Sequence, residues 1–352
     1  MAVGLRAPVP IYFVLLLARR RIRCTQNVRA DGGSTVRCKR GTGMTLTILC
    51  SGQGGQHAGM FALTGACPAA QPLFAQATTL LGHDPRSWVS SVGAAALHAN
   101  RTAQLLCVLQ GLSAAAALED VLPRQRCIAG YSVGEIAAWS MAGLFTPPAA
   151  LALTAARAEA MDAARRGGQG MLFIRGLSRA AIDSLLVEQE AAVAIVNPGN
   201  AFVVAGTKAA LESVAIAAHR QGAARVIPVG VEVASHSPLM REASAMFRAQ
   251  LAQLPVAATP AAGTRLFSGI DGAVVLNGSA AVDKLASQLS QPVEWTACLD
   301  ACVEAGTDVF LELGPGRALA EMAAKAYPDL TARSVDEFKS LAGVRAWLAR
   351  PR

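Results

Sequence analysis

The stretch CIAGYSVGEIAAWS, residues 127–140, constrains the fold more than any other. It places an apolar run, then Gly130-x-Ser132-x-Gly134, then a helical pattern. G-x-S-x-G is the pattern of a strand that turns sharply into a helix, with the serine at the apex in strained backbone geometry. The flanking glycines remove Cβ atoms that would collide with neighbouring backbone. A chain with such a turn must supply a buried strand before it and a helix after it. The same pattern also occurs as a glycine-flanked loop serine, so the rest of the chain has to decide.

The rest of the chain alternates strands with helices. Leu46–Cys50 reads as a short buried strand, and the glycine-rich turn SGQGGQHAGM follows it. Helical patterns fill roughly 70–82 and 101–117. Cys127–Ala129 is a strand that ends at the serine turn, and Ile136–Met141 continues as a helix whose end suits Gly143. Thr146 caps the next helix, with Pro147 at its first position. Such alternation predicts an α/β domain with a mainly parallel sheet. Residues 170–231 change character: strand Met171–Ile174, helix Ser178–Gln189, strands Ala192–Val196 and Phe202–Ala205, helix Lys208–Gln221, strand Arg225–Val229. That order, βαββαβ, predicts an inserted ferredoxin-like subdomain. The first domain then resumes, with DVFLELGPG (308–316) as a strand and a turn. The expected division is a core of 44–169 and 232–352 around a subdomain of 170–231.

Composition adds limits. Of 352 residues 53% are hydrophobic and 16% charged, so a large buried core is expected. The net charge of +8 suggests a nucleic-acid partner until it is located. Residues 1–43 hold nine of the basic side chains and one acid, which leaves 23 of each sign from Met44 onward. The body is formally neutral, and no nucleic acid is expected as a partner. Within the leader, IYFVLLLA (11–18) is too short to span a bilayer, and RRRIR follows it rather than precedes it, unlike a secretory signal. Residues 1–43 are therefore expected to be a disordered tail or a mis-assigned start, with no membrane association and a cytoplasmic location. The eight cysteines form no C-x-x-C pair; Cys298 and Cys302 share a helix face, but no histidine pair completes a metal site. Reduced core thiols are the expectation.

A serine nucleophile needs a base. Of the five histidines, His57 lies in the glycine turn, His83 precedes an Asp-Pro loop, and His98 and His219 lie in polar helical patterns. His236, in VEVASHSPLM, stands where the chain returns from the inserted unit to the main domain, and loops at strand ends gather catalytic groups. Acyl transfer also needs backbone N–H groups aimed at the developing oxyanion. Val133 follows the serine at a helix start, and the SGQGGQ turn after the first strand is placed to supply a second donor. That turn lacks the last glycine of G-x-G-x-x-G and the Lys-Ser/Thr of a Walker loop. Arg157, with Leu153 and Met161 one turn to either side, lies on a partly apolar stripe and seeks an anion, a structural ion pair or solvent.

Taken together these segments resemble the malonyl-CoA:acyl-carrier-protein transacylases, from about Met44 to about residue 325. SGQGGQHAGM resembles that family's glycine turn, GYSVGE its serine elbow, Arg157 with Met161 its R-x-x-x-M helix. NPGNAFVVAG (197–206), ASHSPLM, QLSQPVEW (288–295) and ELGPG (312–316) resemble four further motifs in the same order. The resemblance implies an α/β-hydrolase-like acyltransferase core with a parallel sheet and a ferredoxin-like insert. It implies malonyl-CoA as substrate, an acyl carrier protein as partner, and no permanently bound cofactor. By position it implies Ser132 as carrier of a malonyl ester, His236 as general base, Gln53 and Val133 as oxyanion donors, and Arg157 as the partner of the malonyl carboxylate. Asn197 and Gln288 take supporting, substrate-binding roles, with the histidine oriented by a backbone carbonyl near Gln288. Two positions depart: Tyr131 replaces the elbow histidine and Ser51 the turn proline. GYSVGE resembles the epsilon subunit of malonate decarboxylase more than the fatty-acid-synthesis enzymes, which implies that enzyme's other subunits as partners. The fatty-acid-synthesis transacylase and a serine hydrolase are the alternatives.

Overall fold

The computed structural model describes residues 45–350 and two short strands, Arg23–Cys24 (β1) and Cys38–Lys39 (β2), which pair antiparallel. The expectations for the 1–43 leader otherwise lie outside the described residues. Leu46–Cys50 (β3) has all five residues buried, as a strand covered on both faces requires. The helices α1 (Gln71–Leu81), α2 (Pro85–Ser91), α3 (Ala94–Leu97) and α4 (Asn100–Leu118) follow. His98 sits at the end of the four-residue α3, half-buried, rather than on the solvated face of a longer helix. Arg126–Gly130 (β4) leads through the serine turn into α5 (Gly134–Met141), and α6 (Pro147–Ala164) begins as the sequence predicts, with the Thr146 hydroxyl accepting from Ala149 N–H at 3.3 Å.

The chain then builds a second sheet from β5 (Gln169–Arg175), α7 (Arg179–Leu185), β6 (Ala191–Asn197), β7 (Ala201–Thr207), α8 (Lys208–Arg220) and β8 (Arg225–Val229). Its four strands run antiparallel in the order β6-β7-β5-β8. Helix α7 stops at Leu185, short of the expected Gln189, because Glu188 adopts φ 58°. The chain returns through α9 (Arg241–Leu251), β9 (Thr264–Phe267), α10 (Gly278–Ser287), α11 (Trp295–Glu304), β10 (Val309–Glu312), α12 (Ala318–Ala326), β11 (Thr331–Ser334) and α13 (Leu341–Leu348).

The main sheet is parallel throughout, in the order β11-β10-β3-β4-β9. One face carries the largest apolar cluster, where Ile48, Ile128, Trp139, Leu106 and Leu311 meet. The opposite face, with Leu49, Ala129 and Phe310, packs through Trp295 and Leu299 of α11 onto Met171, Ile195 and Val203 of the antiparallel sheet. The two units are also stitched by backbone: Val196 N–H donates to Val293 O, and Val293 N–H to Ala194 O, each at 2.9 Å. This places the segment just after α10 against both units. Among the described residues no helix is long and apolar enough to cross a membrane.

Candidate active site

The serine turn is built by close backbone contact. Ser132 stands at φ 54°, the strained conformation expected of the apex. Tyr131 N–H donates to Cys50 O at 2.9 Å, locking the turn to the end of β3. A Cβ on Gly134 would lie 2.2 Å from Cys50 O, so only glycine lets α5 start there.

Ser132 Oγ lies 2.7 Å from Nε2 of His236, and Nδ1 of His236 lies 2.6 Å from the backbone carbonyl of Gln288. A carbonyl can only accept, so Nδ1 carries the proton and Nε2 is left to accept from the serine hydroxyl. His236 also takes a left-handed φ of 60°, and its N–H donates to Leu289 O at 2.8 Å. The imidazole is buried, and burial, with the Arg157 charge adding to it, pulls its pKa down to about 3. It is therefore a neutral base. Cys50, the buried thiol next to the turn, is pushed up to about 12 by burial and does not compete as nucleophile.

Backbone N–H groups of Gln53 and Val133 donate to no group among the described residues. Val133 is buried just before α5, and Gln53 is half-buried in the turn after β3. Ser51, where the resembling family has proline, donates its hydroxyl to Glu312 Oε1 at 2.7 Å, and Glu312 Oε2 accepts from Ala320 N–H at 2.8 Å. His57 of the same turn is tied away from the serine: its Nε2 contacts Asp336 at 3.0 Å.

Arg157 is 1% exposed, on α6. Its Nη1 donates to Gln104 Oε1 at 2.6 Å and lies 3.2 Å from Met161 Sδ, and its Nη2 lies 3.5 Å from Gln288 Oε1. It makes no ion pair within 4 Å among the described residues. Burial pulls its pKa down to about 10 against the opposing pull of the Glu135 charge, so it remains a cation at neutral pH. No hydrogen bond from its Nε–H is made among the described residues, and a guanidinium with donors to spare can take a carboxylate bidentately.

Of the residues named from the sequence, Ser132, His236, Arg157 and Gln288 are linked by these contacts. Gln288 contributes more than a substrate contact: its carbonyl orients the histidine and its amide touches Arg157. Asn197, buried at the end of β6, lies near the Tyr131 side chain, itself packed edge-on to Trp295 at 5.2 Å, and its Oδ1 has no hydrogen-bond partner among the described residues. Two buried polar residues escaped the sequence reading. Gln104 lies fully buried in α4, as do Gln110 and Ser113 of that helix, and Glu135 lies at 1% exposure in α5. A polar side chain inside an apolar helical run is the signal that each offers. Among the described residues no three His, Cys, Asp or Glu side chains gather as metal ligands would.

The family model for the acyl transferase domain matches residues 47–342. The malonyl CoA-acyl carrier protein transacylase of Escherichia coli (strain K12) is 32% identical over 309 residues, covering 84% of this chain and 97% of that protein. The acyl-carrier-protein S-malonyltransferase of Burkholderia pseudomallei 1710b superposes with a TM-score of 0.80 at 28% identity, over 87% of this chain and 100% of that one. A malonyl-transacylase solved in complex with its type II PKS acyl-carrier protein gives 0.77 at 28% identity, over 83% and 96%.

Proposed function

Because the chain belongs to the acyl transferase domain family, and is an acyltransferase, we propose that it moves malonyl from malonyl-CoA to the prosthetic thiol of an acyl carrier protein. The observation that carries the malonyl reading is Arg157: a buried cation with no carboxylate within ion-pair distance among the described residues, whose charge is felt at His236. A neutral acyl chain would leave that cation unpaired, and the malonyl carboxylate satisfies it.

In the proposed sequence Ser132 Oγ attacks the thioester carbonyl as its proton passes to His236 Nε2. The tetrahedral oxyanion is met by the N–H groups of Gln53 and Val133, at the positive end of α5. The C–S bond breaks, and the proton on Nε2 goes to the departing CoA sulfur. The carrier thiol then gives its proton to His236 Nε2 and attacks the malonyl ester carbonyl; the ester C–O bond breaks, and the proton on Nε2 passes to Ser132 Oγ, which restores the hydroxyl. The Gln288 carbonyl holds Nδ1–H throughout, so that no carboxylate is needed behind the histidine.

We read β5 to β8 with α7 and α8 as a ferredoxin-like subdomain inserted in an α/β-hydrolase-like core; the antiparallel order β6-β7-β5-β8 supports it. Two carrier proteins are candidates. The GYSVGE elbow, with its Tyr131, favours the carrier of malonate decarboxylase, for which this chain would act as the epsilon subunit; the transacylase relatives favour the fatty-acid carrier. The test is mass spectrometry of the protein after brief exposure to malonyl-CoA, followed by each purified holo carrier. A malonyl adduct on Ser132, absent in Ser132→Ala and discharged by one carrier, supports the reading and names the carrier. An adduct discharged only by water would make the protein a hydrolase, and no adduct would overturn the proposal.

A further inference from the structure

Glu135 has no role in the chemistry above, yet it is buried in the helix that begins at the serine turn. Both its oxygens accept. Oε1 takes the Gly269 N–H at 3.1 Å, and Oε2 takes the Nε2 amide of Gln288. Gly269 is shaped to this pair: a Cβ there would lie 2.6 Å from Glu135 Oε2 and 3.2 Å from Gln288 Nε2. A side-chain amide has one donating and one accepting end. With its NH2 held by Glu135, Gln288 must present Oε1 to the other side, and there it meets Nη2 of Arg157 at 3.5 Å.

We propose that Glu135 is a positioning residue for malonyl selectivity: by fixing which way the Gln288 amide points, it sets the orientation of the Arg157 fork. The inference rests on Arg157 reading the acyl carboxylate, as argued above. Only a group with two acceptors can serve Gly269 and Gln288 together. Glu135→Gln keeps the shape but turns an NH2 toward one of those two donors. Gly269 N–H is backbone and cannot turn away, so the Gln288 amide flips and brings its NH2 against Nη2 of Arg157.

The experiment measures kcat/KM for malonyl-CoA and acetyl-CoA in wild type, Glu135→Gln and Gln288→Met, with thermal melting to establish that each variant is folded. Gln288→Met deletes the amide relay while leaving the backbone carbonyl that holds His236, and it decides the matter should Glu135→Gln not fold. The expected result is a malonyl-to-acetyl ratio lowered about tenfold to a hundredfold, the size of one hydrogen bond to a charged group, with the loss carried by the KM for malonyl-CoA. A general loosening of the site would instead lower kcat for both donors together, and that outcome overturns the relay. A ratio within twofold of wild type in the folded variants overturns it as well. A wild-type ratio near one would refute the Arg157 reading itself, and the relay with it.

Discussion

Replacing Arg157 by alanine tests the malonyl assignment at its centre. The guanidinium is 1% exposed and held by Gln104 and Gln288 without an anion. Burial draws its pKa from 12.5 to about 10. At about 1.4 kcal/mol per pH unit this is a net cost on the order of 3 kcal/mol, what burial exacts after the attraction of Glu135 is counted. A bound carboxylate offsets that cost by pairing, and its own desolvation is compensated only by the same cation. Removing one member of a buried pair costs about 3–5 kcal/mol. Arg157→Ala should therefore lower kcat/KM for malonyl-CoA by about a hundredfold to a few thousandfold. Acetyl-CoA has no carboxylate to strand, so its transfer should fall far less or rise. The assay is transfer to holo carrier protein from each donor, with melting to confirm the fold. If both donors lose activity in parallel, Arg157 is a packing residue and the malonyl reading loses its chemical basis.

The neutral state of His236 sets the pH behaviour. Its pKa is pulled from 6.5 to about 3, so the unprotonated base persists to lower pH than a free imidazole allows, and single-turnover acylation of Ser132 should keep most of its rate at pH 5. An acid limb centred near pH 6.5 would refute the burial argument. Gly134→Ala should drive its new Cβ into Cys50 O and Ser51 O, at 2.2 and 2.7 Å, and part the elbow from β3. We expect acylation to be lost and Tm lowered by about 2–6 °C, as overpacking by about 1–3 kcal/mol implies; an active, equally stable variant would show that the contact yields.

The parallel main sheet and the meeting of Ser132 with His236 were legible because each rests on local signals. The serine turn needs glycine at fixed offsets, the helix caps need Thr and Pro at fixed offsets, and His236 sits at a chain return that the strand count reveals. The polar support of the site was not legible, because it is made at long range. Ser51 meets Glu312 across 261 residues, Arg157 meets Gln288 across 131, and Glu135 meets Gln288 across 153. No periodicity encodes such pairings: a polar residue inside an apolar run marks a buried candidate, but nothing local names its partner. The error at α7 has a local cause: Leu186 to Gln189 fits a helical pattern, and the positive φ of Glu188 cannot be read from a glutamate.

The place of β3 in the main sheet bears on how the protein is made. It is the first strand of that sheet to leave the ribosome, yet it lies at the centre, between β4 and β10. Its pairing with β4 becomes possible early. Its other edge waits for β10, which begins 263 residues further along the chain. At about 5–20 residues per second the nascent chain carries that apolar edge unpaired for roughly 13–50 s. An open edge of buried, β-branched character is a template for other chains. Yield during synthesis is therefore governed by what shields Leu46–Cys50 in that interval, and a ribosome stall before Val309 exposes the strand for longer without altering one contact of the finished protein.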